Sequence, residues 1–291
     1  MRAGVALLFV VACGSNTPHV ATPAMITVLD PGAEPRQVLR YEPTLHVPER
    51  AEMTLKTRVT NRFTNTVLET GQRSIDNPSI RLVQRFDAVE TTPTGETVMR
   101  FEIEDATVLD DVVDPALRAL AAARSAKMKG LRGSWHLAPS GKATELVLQT
   151  PDAEHRSDLS PMRESSVVFP DVPVGIGATW QVTSHESIGG VTWDRKATYR
   201  LRGLADSTAS IDADIAMHAS SQALSTEPNA TTTLTSATMN IAAQLTIPLH
   251  KLVTTSSAQG TSESNFSIVR GHLRITSTMQ IEMLSSVNPI P

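Results

Sequence analysis

Cys13 is the only cysteine in the chain and the residue best placed for covalent chemistry. A thiolate is compact and strongly nucleophilic, and this one ends an uncharged run, residues 3–12, rich in Val, Leu and Phe. With no second cysteine, intrachain disulfides and cysteine-based metal sites are excluded. Other chemistry-bearing residues form no recognised motif. Gly175-Ile176-Gly177 begins like a dinucleotide fingerprint, but Trp180 stands where the third glycine belongs. The chain contains no phosphate-binding GxxxxGK[ST], no HExxH and no GxSxG.

The eight histidines are scattered, with no ligand spacing between neighbours, and read as solvated surface groups. His185 and Glu186 are adjacent, so a strand sends them to opposite faces. Asp110, Asp111 and Asp114 are a start on a calcium site, but the glycine-bearing loop and bidentate glutamate are missing. A polar turn leading into a helix cap explains them more simply. Asp212 and Asp214 share one side of an alternating run and could serve as paired carboxylates, although no pocket residue accompanies them. Neither a metal nor an organic cofactor is expected.

The net charge of -4 and the absence of any basic run argue against a polyanion ligand. Aromatic residues are 4% of the chain, too few for the stacking platforms that hold single strands, so no nucleic acid is expected.

Arg2, the apolar run and Val10-Val11-Ala12-Cys13 followed by Gly14-Ser15 resemble the bacterial lipobox. The resemblance implies cleavage before Cys13 and attachment of diacylglycerol to its sulfur, with acylation (palmitate being a typical chain) of the new amino group. Gly14 in place of Asp resembles the signal that sends such proteins to the outer membrane of a double-membrane bacterium. About ten apolar residues reach roughly 15 Å as a helix, half of a roughly 30 Å hydrocarbon core, so the segment is too short to span. The same residues also fit a short secretory signal, or a buried strand with an inert thiol. Residues 1–12 are therefore read as a signal peptide. Residues 13–24, small, polar and with two prolines, are read as the lipidated cysteine and a flexible tether.

The rest of the chain alternates with period two. Met53, Leu55 and Val59 oppose Glu52, Lys56 and Arg58; Met99, Phe101 and Ile103 oppose Arg100, Glu102 and Glu104. Ile211, Ala213, Ile215 and Met217 share a side, as do Met239, Ile241, Ala243, Leu245 and Ile247. The longest run sets Leu273, Ile275, Met279, Ile281 and Met283 against polar neighbours. One buried and one wet face is the pattern of antiparallel sheet. A single helix is expected near 114–129, with Asp114 as N-cap, Pro115 at the first position and Gly130 past the end. Its spacing puts Leu117, Leu120, Ala121, Arg124 and Met128 on the packed side.

Polar residues 151–165 read as a connector between a first β-rich unit, 25–150, and a second, 166–291. Trp135-His136-Leu137 with Gly141, and Phe266-Ser267-Ile268 with Gly271, each lead through a glycine turn into an alternating strand. This hints at a duplicated half-barrel, although ordinary hairpins give the same match.

Phe169 to Trp180, FPDVPVGIGATW, resembles the Pro-rich entry, glycine turn and Trp-led strand of uncharacterised β-rich bacterial lipoproteins, distantly similar to periplasmic lipoprotein carriers. The resemblance implies curved antiparallel sheets with a packed helix and no known activity. The expected fold is mainly β: curved antiparallel sheets, half-barrel or barrel-like. Within it, Met217, Met239, Met279 and Met283 fall on inner faces. They fit either ordinary core or a cavity of flexible thioethers suited to an acyl chain. The expected role is a non-catalytic, membrane-anchored envelope lipoprotein that binds a lipid, another apolar ligand or a protein partner. Alternatives are a structural or assembly lipoprotein, or an enzyme with a dispersed site.

Overall fold

A computed structural model describes residues 24–65, 70–111, 114–149, 167–188, 190–227 and 230–291. Cys13, the expected signal, nearly all of the tether and the connector lie outside the described residues. In chain order the strands are β1 (Met25–Asp30), β2 (Glu49–Asn65), β3 (Thr70–Asp76), β4 (Ile80–Thr91), β5 (Thr97–Val108), β6 (Arg132–Leu137) and β7 (Ala143–Gln149). They continue as β8 (Thr179–Ile188), β9 (Val191–Ala205), β10 (Thr208–Ala219), β11 (Gln222–Glu227), β12 (Ala230–Pro248), β13 (Thr255–Arg270) and β14 (Leu273–Ile290). Helix α1 is Pro115–Met128.

The fourteen strands among the described residues belong to one open antiparallel sheet in the order β1-β8-β9-β10-β12-β13-β14-β2-β4-β5-β6-β7, with β11 beside β12 and β3 beside β2. Strands from both expected units thus share a single sheet. β14 pairs with β2 from Ile275 to Ile290. β1 crosses to the far edge, beside β8.

Cross-strand partners point to the same side, so register sorts the residues into two faces. Met217, Met239, Ser262, Ile281, Val59 and Ile75 form one row across β10, β12, β13, β14, β2 and β3. This is the apolar face, and the alternating runs read from the sequence place it correctly.

Two stretches of loop cover this face at one end. Leu39, Val167, Phe169 and Val174 pack on Trp180, Tyr199, Leu201, Ile211 and Ile247. Each large side chain fully removed from water contributes about 1.5–3 kcal/mol, so this cluster is a main source of stability. Trp180 is fully buried, and its indole N–H donates to the Val168 carbonyl over 2.8 Å. It anchors the start of β8, as its position after the glycine turn implies. Gly177 supplies that turn with φ of 88°. Gly175 sits so tightly that an added Cβ would lie 1.7 Å from the Ala33 carbonyl oxygen.

Farther along the sheet, Ala88, Met99 and Leu137 form a second cluster. Tyr41 packs against both it and the Trp180 cluster, bridging β4–β6 to β8–β10.

Asp114 caps α1 by accepting from the Ala116 and Leu117 amides, and Gly130 takes a φ of 80°. Met128 and Leu131 pack on Phe101 and Ile103 of the sheet. The buried side is rotated from the expected one. Ser125 is the buried residue, flanked by the half-buried Leu117, Ala121 and Met128, whereas Leu120 and Arg124 are exposed. The run of alanines gives the helix little amphipathic contrast, so tertiary fit fixes its rotation.

Candidate functional site

The four methionines singled out by sequence all lie on the apolar face, in different settings. Met217 is 3% exposed and directly opposite Met239. Met217 packs with Trp193, Ala219, Leu234 and Ala237, and Met239 lies half-buried against the same cluster. Met279 and Met283, on β14, are half-buried and belong to none of the four packed clusters. The same holds for their neighbours Leu55, Val59 and Ile281.

Between β12 and β14, the apolar side of β13 carries only small residues from Ser256 to Ser264, namely Ser256, Ala258, Gly260, Ser262 and Ser264, and beyond them Phe266 packs on the Met217 cluster. Small side chains between larger ones make a trough. Its walls are Leu245, Ile241 and Met239 on β12 and Val287, Met283, Ile281 and Met279 on β14. At the midpoint, a Cβ on Gly260 would lie 3.1 Å from Ile241 and 3.4 Å from the Met283 methyl. At about 3.4 Å per residue, the eight steps from Ser256 to Ser264 extend roughly 27 Å.

A concavity of about 880 Å3 opens on the opposite, polar face. Two adjacent rows line it. One runs Lys196, Ala216, Asn240, Thr261, Glu282, Arg58 and Asp76; the other runs Thr198, Asp214, Ala242, Gln259, Leu284 and Lys56. This groove is distinct from the face on which the four methionines lie. The methionines share one face but are not gathered in one cavity. Met217 is closed into core, and Met283 borders the groove only as part of the strand between the two rows.

The groove balances its charges. Arg58 donates to Asp76 at 2.6 Å and lies 3.9 Å from Glu282, and the hydrogen bond from Arg58 holds the Asp76 carboxyl below its usual range. Three cations and three carboxylates give no preference for ions of one sign.

The remaining polar candidates are dispersed. Asp110 pairs with Arg118, Asp111 accepts from the Ser79 hydroxyl and amide, and Asp114 is the helix cap. Asp212 takes Arg202 at 2.5 Å, while Asp214 lines the groove. His185 lies 2.5 Å from Asp194, and His218 and His272 are exposed. Among the described residues, no cluster of His, Cys, Asp and Glu could hold a metal ion.

Sequence reading missed Arg195. It occupies an inward position on β9, 7% exposed and opposite Met217. Its guanidinium lies 3.3 Å from the Tyr199 hydroxyl and 3.8 Å from Glu186, which compensates the buried charge. An arginine between inward Trp193 and Ala197 was the available signal.

No helix among the described residues is long and apolar enough to cross a membrane. No family model matches the chain, and no curated protein matches it.

Proposed function

We propose that the chain is a non-catalytic envelope lipoprotein, held on a membrane by acyl chains on Cys13, that binds a linear apolar chain along the β13 trough. The observation that carries this reading is the half-buried strip of Leu55, Val59, Met279, Ile281 and Met283, which joins no packed cluster. A contiguous apolar strip left partly open is a binding surface far more often than idle surface. Methionine walls adapt to an irregular hydrocarbon. The trough, roughly 27 Å long, exceeds the roughly 15 Å of one bilayer leaflet, so an extended acyl tail fits lengthwise. The membrane anchor rests on the lipobox, and the outer membrane on Gly14 after Cys13. The absence of a catalytic motif from the sequence supports a binding role.

Native mass spectrometry of the full chain carrying Cys13→Ser, purified from cells, tests the trough. Adducts in the lipid mass range that fall away in Ala258→Leu and Ser262→Leu are expected. A bare mass throughout, or adducts untouched by both substitutions, would overturn the reading.

One observation favours an assembly role instead. β1 and β7 end the open sheet, and each lacks a partner on its outer side among the described residues. Such edges accept a strand from another protein. Photocrosslinkers at Leu29 and Val147 in intact cells distinguish the two, since one dominant protein adduct favours assembly.

A further inference from the structure

A second cavity, of about 520 Å3, opens on the polar face of β4–β7. Register places Arg85, Glu102, Arg132 and Gln149 in one row across it, and Asp87, Arg100 and Ser134 in the next. Arg100 is therefore the diagonal neighbour of both Arg85 and Arg132. Diagonal Cα separations of about 7–8 Å lie within reach of long side chains, so three guanidinium groups can meet over one point.

The flanking arginines take the two carboxylates. Arg132 donates to Glu102 at 2.8 Å, and Arg85 lies 3.4 Å from Asp87. Arg100, directly opposite Asp87, has no hydrogen bond or ion pair among the described residues. Three cations against two anions leave one positive charge, centred on the arginine whose donors are all free. A guanidinium offers five N–H donors in a planar fork, so Arg85 and Arg132 also keep donors to spare.

We propose that Arg85, Arg100, Arg132 and Ser134 bind a phosphate group. A carboxylate is satisfied by a single arginine fork. A phosphate presents oxygens in several directions and matches donors arriving from three strands. The group can belong to a soluble phosphate ester or to a phospholipid head, and the chemistry at the protein is the same. This site lies on the opposite face from the acyl trough and stands or falls without it.

Calorimetric titration of the full chain carrying Cys13→Ser with inorganic phosphate tests the site directly. Saturable binding is expected, weakened at least tenfold by Arg100→Gln and unchanged by Arg274→Gln. Arg100 is exposed, so circular dichroism should show the variant folded. Sedimentation with vesicles then separates the sources. Arg100-dependent capture by phosphatidylglycerol vesicles, but not by phosphate-free glycolipid vesicles, assigns the group to a lipid head. Phosphate binding without vesicle capture assigns it to a soluble ester. Absence of saturable phosphate binding, or equal binding by Arg100→Gln, overturns the proposal.

Discussion

The rings of Tyr41 and Phe169 stack with centroids 4.9 Å apart. One belongs to the loop before β2 and the other to the approach to β8, so this contact joins two covers of the apolar face. Removing the ring leaves a void touching two clusters. Tyr41→Ala is expected to cost about 3–5 kcal/mol, read as a lower urea midpoint. Tyr41→Phe keeps the stack and should cost about 1 kcal/mol.

Burial pushes the Tyr41 hydroxyl above its ordinary value, the neighbouring Tyr199 adds to the shift, and a hydrogen bond with the Val167 backbone partly opposes it. In the unfolded chain a tyrosine loses its proton near pH 10. The folded protein holds this proton longer, so the unfolded state binds fewer protons above that pH. Stability is fully present below about pH 10 and declines as pH rises further. Urea unfolding at pH 9 and pH 11 should show a drop in the native chain that is smaller in Tyr41→Phe.

Gly175 has no room for a side chain, because the obstacle is the Ala33 backbone rather than a movable group. Gly175→Ala must separate the two segments joined by the Ala33–Ile176 and Gln37–Val174 hydrogen bonds. A loss of about 3 kcal/mol is expected, visible as a lower Tm and early proteolysis around residue 175.

Asp114 satisfies two otherwise unpaired amides at the start of α1. Asp114→Ala should cost about 1 kcal/mol, and Asp114→Ser should restore most of it. Chemical denaturation of the three proteins gives the comparison.

Cys13 is expected to carry the membrane anchor. Cys13→Ser should move the protein from the membrane pellet to the soluble fraction and leave the signal uncleaved in the measured mass. Unchanged pelleting together with unchanged mature mass would contradict the anchor.

Local patterns were legible in the sequence. The alternation of Met53, Leu55 and Val59, of Met99 to Ile103, and of Met239 to Ile247 gives the strands and their buried sides, because side-chain period and burial are coupled within each strand. Asp114, Pro115 and Gly130 mark the helix ends for equally local reasons.

What the sequence could not convey was non-local. Nothing in the run ending at Met283 says that β14 lies against β2, more than two hundred residues earlier. The small residues of β13 read as a weak strand until register sets them between Ile241 and Met283. Arg85, Arg100 and Arg132 are ordinary wet-face residues until three neighbouring strands bring them together.

The placement of β14 between β13 and β2 also governs how the sheet comes to exist. As the chain leaves the ribosome, β2 can pair with β3 and β4 early, but its other edge must wait for β14. Hairpins such as β13–β14 close quickly, whereas joining β14 to β2 closes a very long loop and sets the pace. During that delay the open edge of β2 is aggregation-prone, so this architecture depends on holding chaperones more than a sequential meander would.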